Sequence, residues 1–124
     1  NLKETYDVIL LFEVLEHLDN WGLLIKKIKK QLNPKGKLIL STINKTHFAN
    51  FFGIFIAENI LKWVPKNTHN YNKLIKPETL KKELINNNFK IINTVGMNFN
   101  PISREWKLNS NLLPINYFCS AELN

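Results

Sequence analysis

The sequence has few of the residues that mark several common classes of protein. It contains one cysteine in 124 residues, so no disulfide can form within the chain, and a reducing compartment is favoured. No run reaches the roughly 18 to 20 apolar residues that a membrane-spanning helix needs. The first residues, NLKETYD, lack the charged and apolar regions of a secretory signal. We therefore expect a cytoplasmic protein.

Glycine is scarce and scattered. Its four positions, Gly22, Gly36, Gly53 and Gly96, form no G-x-G pattern, which is the signature of many nucleotide-binding loops. The chain is short enough to make one domain at most, and it does not begin with methionine. We expect it to be a piece of a longer protein.

Positive charge is in excess, with 17 Lys and Arg against 10 Asp and Glu, which gives +7. An acidic partner is therefore favoured, either a membrane surface or a nucleic acid. The lysines between residues 26 and 30 lie largely on one predicted helix face, without interleaved aromatic residues. This arrangement disfavours a nucleic-acid-binding module. Lysine-rich faces are also commonly plain solvated surface.

The order of apolar segments predicts an α/β fold. DVILLF is typical of a strand that is buried on both faces of a parallel sheet. A helix capped by Asp19 or Asn20 follows, NPKG predicts a helix stop and a turn, and KLILSTIN predicts the next strand. Strand, helix and strand within about forty residues indicate a parallel βαβ unit.

The second half of the chain predicts a helix and two strands after an irregular segment. Residues 45–75 look like a helical insert, and Pro77 is typical of the first position of a helix, PETLKKELINNN. FKIINTVGMNF and NYFCSAEL predict two final strands joined by a connection that includes NPISREW. About four strands would form the sheet, closed by an antiparallel pair and leaving an exposed edge.

Three polar side chains follow the first strand directly. Glu13, Glu16 and His17 stand at i, i+3 and i+4, so on a helical turn they share one face. The carboxylates are ligands that suit Mg²⁺, whereas the imidazole also suits Zn²⁺, Fe²⁺ or Mn²⁺. The alternative is that the carboxylates complement a helix dipole and that His17 is a surface residue.

The chain resembles the C-terminal half of the ubiquinone biosynthesis O-methyltransferases, a branch of the class I S-adenosylmethionine (SAM)-dependent methyltransferases. The segments that carry the resemblance, in order, are YDVILLFEVLEHL, LNPKGKLILSTIN, VPKNTHNYNKLIKPETL, NFNPISREWKL and INYF. The resemblance implies a Rossmann-like sheet represented here by its strands four to seven, residues 1–124. It also implies that the glycine-rich SAM loop lies upstream, in a missing N-terminal half.

The resemblance further implies roles for individual residues. Glu13, Glu16 and His17 would bind Mg²⁺, with His17 a ligand or a general base, and Phe12 would contact SAM. The substrate would be a catechol-like ring that carries a polyprenyl tail. A cation on both ring oxygens would lower the pKa of the attacking hydroxyl. The rival interpretation is a non-catalytic fragment that needs an N-terminal partner, in cis or in trans.

The insert offers three alternatives. Its aromatic and apolar residues between Phe48 and Val64 could lie in a membrane interface, line a route for the polyprenyl tail, or form an ordinary buried helix. The first alternative predicts peripheral association with the inner face of the membrane. His69, in NTHNY, is either a loop residue or a substrate-side residue, and His47 is assigned no role.

Overall fold

The computed structural model describes residues 4–45, 73–100, 102–109 and 116–124, with the backbone alone for Phe99 and Asn109. The predicted insert, with His47 and His69, therefore lies outside the described residues except at its ends. The described elements are β1 (Tyr6–Phe12), a 3₁₀ turn (Leu15–His17), α1 (Trp21–Gln31), β2 (Leu32–Ile43), α2 (Pro77–Asn86), β3 (Phe89–Asn100), β4 (Glu105–Asn109) and β5 (Asn116–Leu123).

The strands form one mixed sheet in the order β1-β2-β5-β3-β4. Strands β1 and β2 are parallel, and β5 runs antiparallel to both β2 and β3. These pairings confirm the βαβ unit and the antiparallel closing pair. The prediction of about four strands was too low, because β4 pairs with β3 at the outer edge. Since the described side chains of EWKLN are all exposed, the segment has no alternation of buried and exposed residues that would mark a strand.

The helix stop predicted at NPKG is confirmed, since α1 ends at Gln31, but these residues form an irregular part of β2 rather than a turn that precedes it. Tyr6 pairs with Leu32 and Val8 with Lys37, so a step of two residues on β1 matches a step of five on β2. The extra residues form a bulge, which interrupts the ladder without ending the strand. Proline and glycine are as compatible with a bulge as with a turn, so their presence could not distinguish the two.

Gly36 is required inside this bulge by close approach of the backbone. A Cβ at this position would lie 2.8 Å from the carbonyl oxygen of Asn33 and 3.2 Å from that of Tyr6. The neighbouring Lys35 adopts the left-handed region, with φ of 64°. Asn33 donates from Nδ2 to Asp7 Oδ1 at 2.7 Å, which ties the bulge to β1.

Both α-helices contribute to one buried cluster on a single face of the sheet. Helix α1 buries Ile25 and Ile28, and α2 buries Leu80 and Leu84. The strands contribute alternate residues, as the pleat of a strand requires. The cluster also contains Leu15, Leu32, Leu38, Leu40, Ile75, Phe89, Tyr117, Cys119, Ala121 and Leu123.

The prediction that β1 is buried on both faces is wrong for this chain. Ile9 and Leu11 pack against the cluster, but Val8, Leu10 and Phe12 are 50%, 57% and 50% exposed. The physical reason is that α1 and α2 both contribute to the buried cluster on the opposite face of the sheet. The apolar run therefore leaves an uncovered face at β1, as far as the described residues go.

The helix ends agree with the local sequence signals. Asn20 caps α1 by accepting the N–H of Leu23 at 3.4 Å, and Pro77 occupies the start of α2. Asn88 follows α2 in the left-handed region, with φ of 67°, and its N–H donates to the carbonyl of Ile85 at 3.0 Å. Asparagine tolerates this conformation better than most residues, so its presence after α2 has a structural cause.

Candidate active site

Glu13 follows β1 in a left-handed conformation rather than in a helix. Its φ is 52°, and its N–H donates to the carbonyl oxygen of Ser41 on β2 at 3.0 Å. The 3₁₀ turn begins only at Leu15. The prediction that Glu13, Glu16 and His17 share one helical face is therefore wrong, because the helical geometry starts after Glu13.

The carboxyl of Glu13 accepts two hydrogen bonds at one oxygen. Ser41 Oγ donates to Oε1 at 2.8 Å, and Asn116 Nδ2 donates to the same atom at 3.1 Å. Burial and the Glu16 carboxyl, which shares a side-chain hydrogen bond with Glu13 and repels its charge, together raise the pKa of Glu13 from 4.5 to about 7, while the two donors lower it by less. Glu13 is therefore a carboxyl that can hold or release a proton near neutral pH.

Glu16 is 3% exposed, so it is buried. Thr42 Oγ1 donates to its Oε2 at 2.8 Å, while its Oε1 is buried without a hydrogen-bond partner among the described residues. Buried carboxylate oxygens normally have partners, because an unpaired one loses its hydration without compensation. An unpartnered oxygen beside a second carboxyl is chemically suited to a divalent cation or to a shared proton.

His17 ends the 3₁₀ turn and is exposed. Within residues 4–45, 73–100, 102–109 and 116–124, no group of three or more His, Cys, Asp or Glu side chains is arranged to hold a metal ion. The structure therefore brings Glu13 and Glu16 together, but in the described part of the chain it shows no three-residue metal arrangement that includes His17. Two carboxylates fit a hard cation such as Mg²⁺, which takes few protein ligands and keeps several waters.

Phe12 is the last residue of β1 and is half exposed. Its ring meets that of Phe118 on β5 edge to face, with centroids 6.0 Å apart and planes at 82°. Phe12 thus forms an aromatic surface next to Glu13, at the carboxyl end of the parallel strands. Ligands of open α/β sheets bind at this end.

Sequence reasoning missed the three donors that hold the carboxyls. Ser41 and Thr42 carried a usable signal, since they are polar residues at the end of an apolar strand parallel to the one that precedes Glu13. Asn116 carried none, because it lies 103 residues from Glu13 in the chain. Only the pairing of β5 with β2 brings it near.

Comparison with known proteins identifies the family of the chain. Residues 1–94 match the family described as methyltransferase domain. The chain belongs to the methyltransferase domain family. The predicted resemblance to the ubiquinone O-methyltransferases is likewise confirmed by its curated relatives. The ubiquinone biosynthesis O-methyltransferase of Rickettsia typhi is 45% identical over 113 residues, 91% of this chain and 46% of that protein.

Other relatives carry the same name. The ubiquinone biosynthesis O-methyltransferase of Rhizobium etli is 40% identical and covers 96% of this chain, and that of Rickettsia prowazekii is 44% identical and covers 94%. The matches take in 48% and 46% of those two proteins. The chain therefore spans about half the length of the curated relatives that it matches.

Solved methyltransferases share the fold. A SAM-dependent methyltransferase from Thermotoga maritima superposes with a TM-score of 0.73 at 12% identity, over 100% of this chain and 60% of that one. One from Archaeoglobus fulgidus gives 0.67 at 17% identity, over 96% and 60%. These matches confirm the predicted fold class, a partial Rossmann-like methyltransferase sheet.

Proposed function

We propose that this chain forms the C-terminal half of a SAM-dependent O-methyltransferase of ubiquinone biosynthesis, acting on a catechol-type ring with a polyprenyl tail. The observation that carries the proposal is the pair Glu13 and Glu16 at the carboxyl end of β1 and β2. The relatives named above support the pathway and the reaction. The position of the pair supports a role at the reacting oxygen, because ligands bind at this edge of such sheets.

We assign SAM binding in this half to Phe12, by its position at the same edge. A related fold, the N-methyltransferase NodS from Bradyrhizobium japonicum, was solved with S-adenosylhomocysteine, at 16% identity and a TM-score of 0.60. Because no two of the glycines form a G-x-G pattern, the remaining SAM contacts would come from the part of the relatives that this chain does not match.

Glu13 and Glu16 would hold Mg²⁺. The fit rests on two adjacent carboxyls and on the buried, unpartnered Oε1 of Glu16. When bound, the cation lowers the pKa of a catechol hydroxyl and orients its oxygen toward a methyl donor. Without the cation, Glu13 has a pKa of about 7 and can hold a proton at neutral pH, and binding of the cation would displace that proton. His17, at the exposed end of the turn, stays assigned as a further ligand or a general base.

A second candidate is a non-catalytic fragment that needs an N-terminal partner, and the uncovered side of β1 favours it. Val8, Leu10 and Phe12 are half exposed along a strand whose outer edge pairs with no described strand. Parallel sheets of this kind are normally covered on both faces. The unmatched part of the relatives, in cis or in trans, is the expected cover.

One experiment separates these candidates. Methyl transfer from labelled SAM to a short-chain prenylated catechol is measured for the protein alone and for the protein mixed with the part of the Rickettsia typhi enzyme that it does not match. We expect turnover in the mixture. Glu13→Gln and Glu16→Gln should lose this turnover, whereas Asp19→Asn, which changes an exposed carboxylate, should keep it. Turnover would refute the non-catalytic candidate, whereas SAM binding without turnover would favour it over the first.

Membrane association is a separate proposal. The charge of +7 and the aromatic residues between Phe48 and Val64 support binding to an anionic bilayer surface, although the segment lies outside the described residues. In the described part of the chain, no helix is long and apolar enough to cross a membrane. Flotation with anionic liposomes should decrease in Phe51→Asp and Phe52→Asp, and equal flotation would refute the proposal.

A further inference from the structure

We propose that Ser41, Thr42 and Asn116 are positioning residues, which hold Glu13 and Glu16 in the orientation that binds a divalent cation. This inference rests on the proposed function, because it concerns the same carboxyl pair. None of the three side chains is a titratable group or a good ligand for a cation in competition with carboxylates. Their role is to bind one oxygen of each carboxyl.

Ser41 and Thr42, consecutive residues at the end of β2, each hold one of the two adjacent carboxyls. Thr42 is 0% exposed beside the buried cluster. Thr42 donates to Glu16, while Ser41 donates to Glu13, each at 2.8 Å. Ser41 also accepts the backbone N–H of Glu13 with its carbonyl, so one residue holds both the backbone and the side chain of that glutamate.

Asn116 adds a donor from a third strand. It begins β5, where it pairs with Ile43 at the end of β2. Its amide nitrogen reaches Glu13 Oε1 at 3.1 Å, on the same oxygen that Ser41 holds. Two donors from different strands restrict the rotation of this carboxyl more than either would alone.

The hydrogen bonds leave oxygens for a ligand. Ser41 and Asn116 both act on Oε1 of Glu13, and Thr42 acts on Oε2 of Glu16. Oε2 of Glu13 is engaged by neither Ser41 nor Asn116, and Oε1 of Glu16 is buried without a partner among the described residues. Ligating carboxylates in metal sites are commonly held in this way by donors behind them, and loss of such a donor typically lowers metal affinity by 10- to 100-fold.

The test is calorimetric titration of the protein with Mg²⁺ alone, which needs no turnover. Thr42→Val removes the hydroxyl at nearly constant volume, and Thr42→Ser restores it. Asn116→Ala removes the amide, and Ser120→Ala is its control, on the same strand and the same face. We expect Thr42→Val and Asn116→Ala to weaken Mg²⁺ binding by about 10- to 100-fold. Thr42→Ser and Ser120→Ala should bind as the parent does.

The outcomes separate this inference from the proposed function. If Thr42→Val, Asn116→Ala and Ser41→Ala bind Mg²⁺ as the parent does while Glu16→Gln loses binding, the positioning role is refuted and the metal site stands. If the parent itself binds no Mg²⁺, both are refuted. Thermal unfolding of each variant identifies any loss of fold. Because Asn116 is only half buried, its variant keeps the test valid should Thr42→Val not fold.

Discussion

Replacing Glu13 by glutamine changes how the stability of the protein depends on pH. Glu13 has a pKa of about 7 in the folded chain against an ordinary 4.5, because burial and the Glu16 carboxyl disfavour its charged form. Between these two pH values the folded state binds more protons than the unfolded state. The free energy of unfolding contributed by Glu13 is therefore fully present below about pH 4.5 and is lost as pH rises through 7.

The size of this effect follows from the same two values. At about 1.4 kcal/mol for each pH unit between them, the loss is at most about 3.5 kcal/mol, and solvent screening of the half-buried side chain reduces it. Glutamine keeps an oxygen for Ser41 and Asn116 and carries no charge against Glu16. We expect Glu13→Gln to be more stable than the parent at pH 8 by about 1 to 3 kcal/mol, and similar to it at pH 4.5.

Urea unfolding followed by circular dichroism, from pH 4.5 to 8 with a chelator present, measures this difference. The difference between variant and parent at each pH is the informative quantity, because the other titratable groups contribute equally to both. Asp19→Asn is the control, since this exposed carboxylate is paired with Lys73 at 2.7 Å, which lowers its pKa. An unchanged pH dependence in Glu13→Gln would show that this carboxyl is not protonated near neutral pH.

Three further predictions concern the fold. Gly36→Ala should destabilise the protein by roughly 1 to 3 kcal/mol, because the added Cβ meets backbone atoms. Gly22→Ala should be tolerated, because its Cβ meets only the flexible end of the Glu83 side chain. Urea unfolding compares the two variants. Tyr117→Phe removes a buried hydrogen bond of 3.0 Å to the Ile75 carbonyl and should lower the free energy of unfolding by about 1 to 3 kcal/mol in the same assay. An unchanged free energy of unfolding would contradict this hydrogen bond. Cys119 is buried, and burial raises the pKa of its thiol. A thiol reagent should therefore modify it only after unfolding, and rapid modification of the native protein would refute its burial.

Local patterns were sufficient for much of the fold. The 3.6-residue spacing of apolar residues located α1, Pro77 located the start of α2, and two runs of apolar and β-branched residues located β3 and β5. They were insufficient where one local signal has two structural outcomes. NPKG is compatible with a turn and with a bulge, and the pairing of β2 with β1 decides for the bulge.

The sequence predicted some features of the candidate site and missed others. Two carboxylates directly after an apolar strand were visible in the sequence, because each lies within a few residues of that strand. Their shared face with His17 was not correctly predicted. The left-handed conformation of Glu13 comes with its backbone hydrogen bond to Ser41, a contact between residues of different strands.

By itself, the sequence determined the order of helices and strands, the βαβ unit, the family resemblance and the presence of Glu13 and Glu16 at a strand end. These are properties of short segments, for which propensity and periodicity are enough. Tertiary structure alone decided that β5 lies between β2 and β3, that Asn116 reaches Glu13, and that the carboxyls are close enough to raise a pKa. Such contacts depend on the packing of distant segments, and no local pattern of residues encodes them.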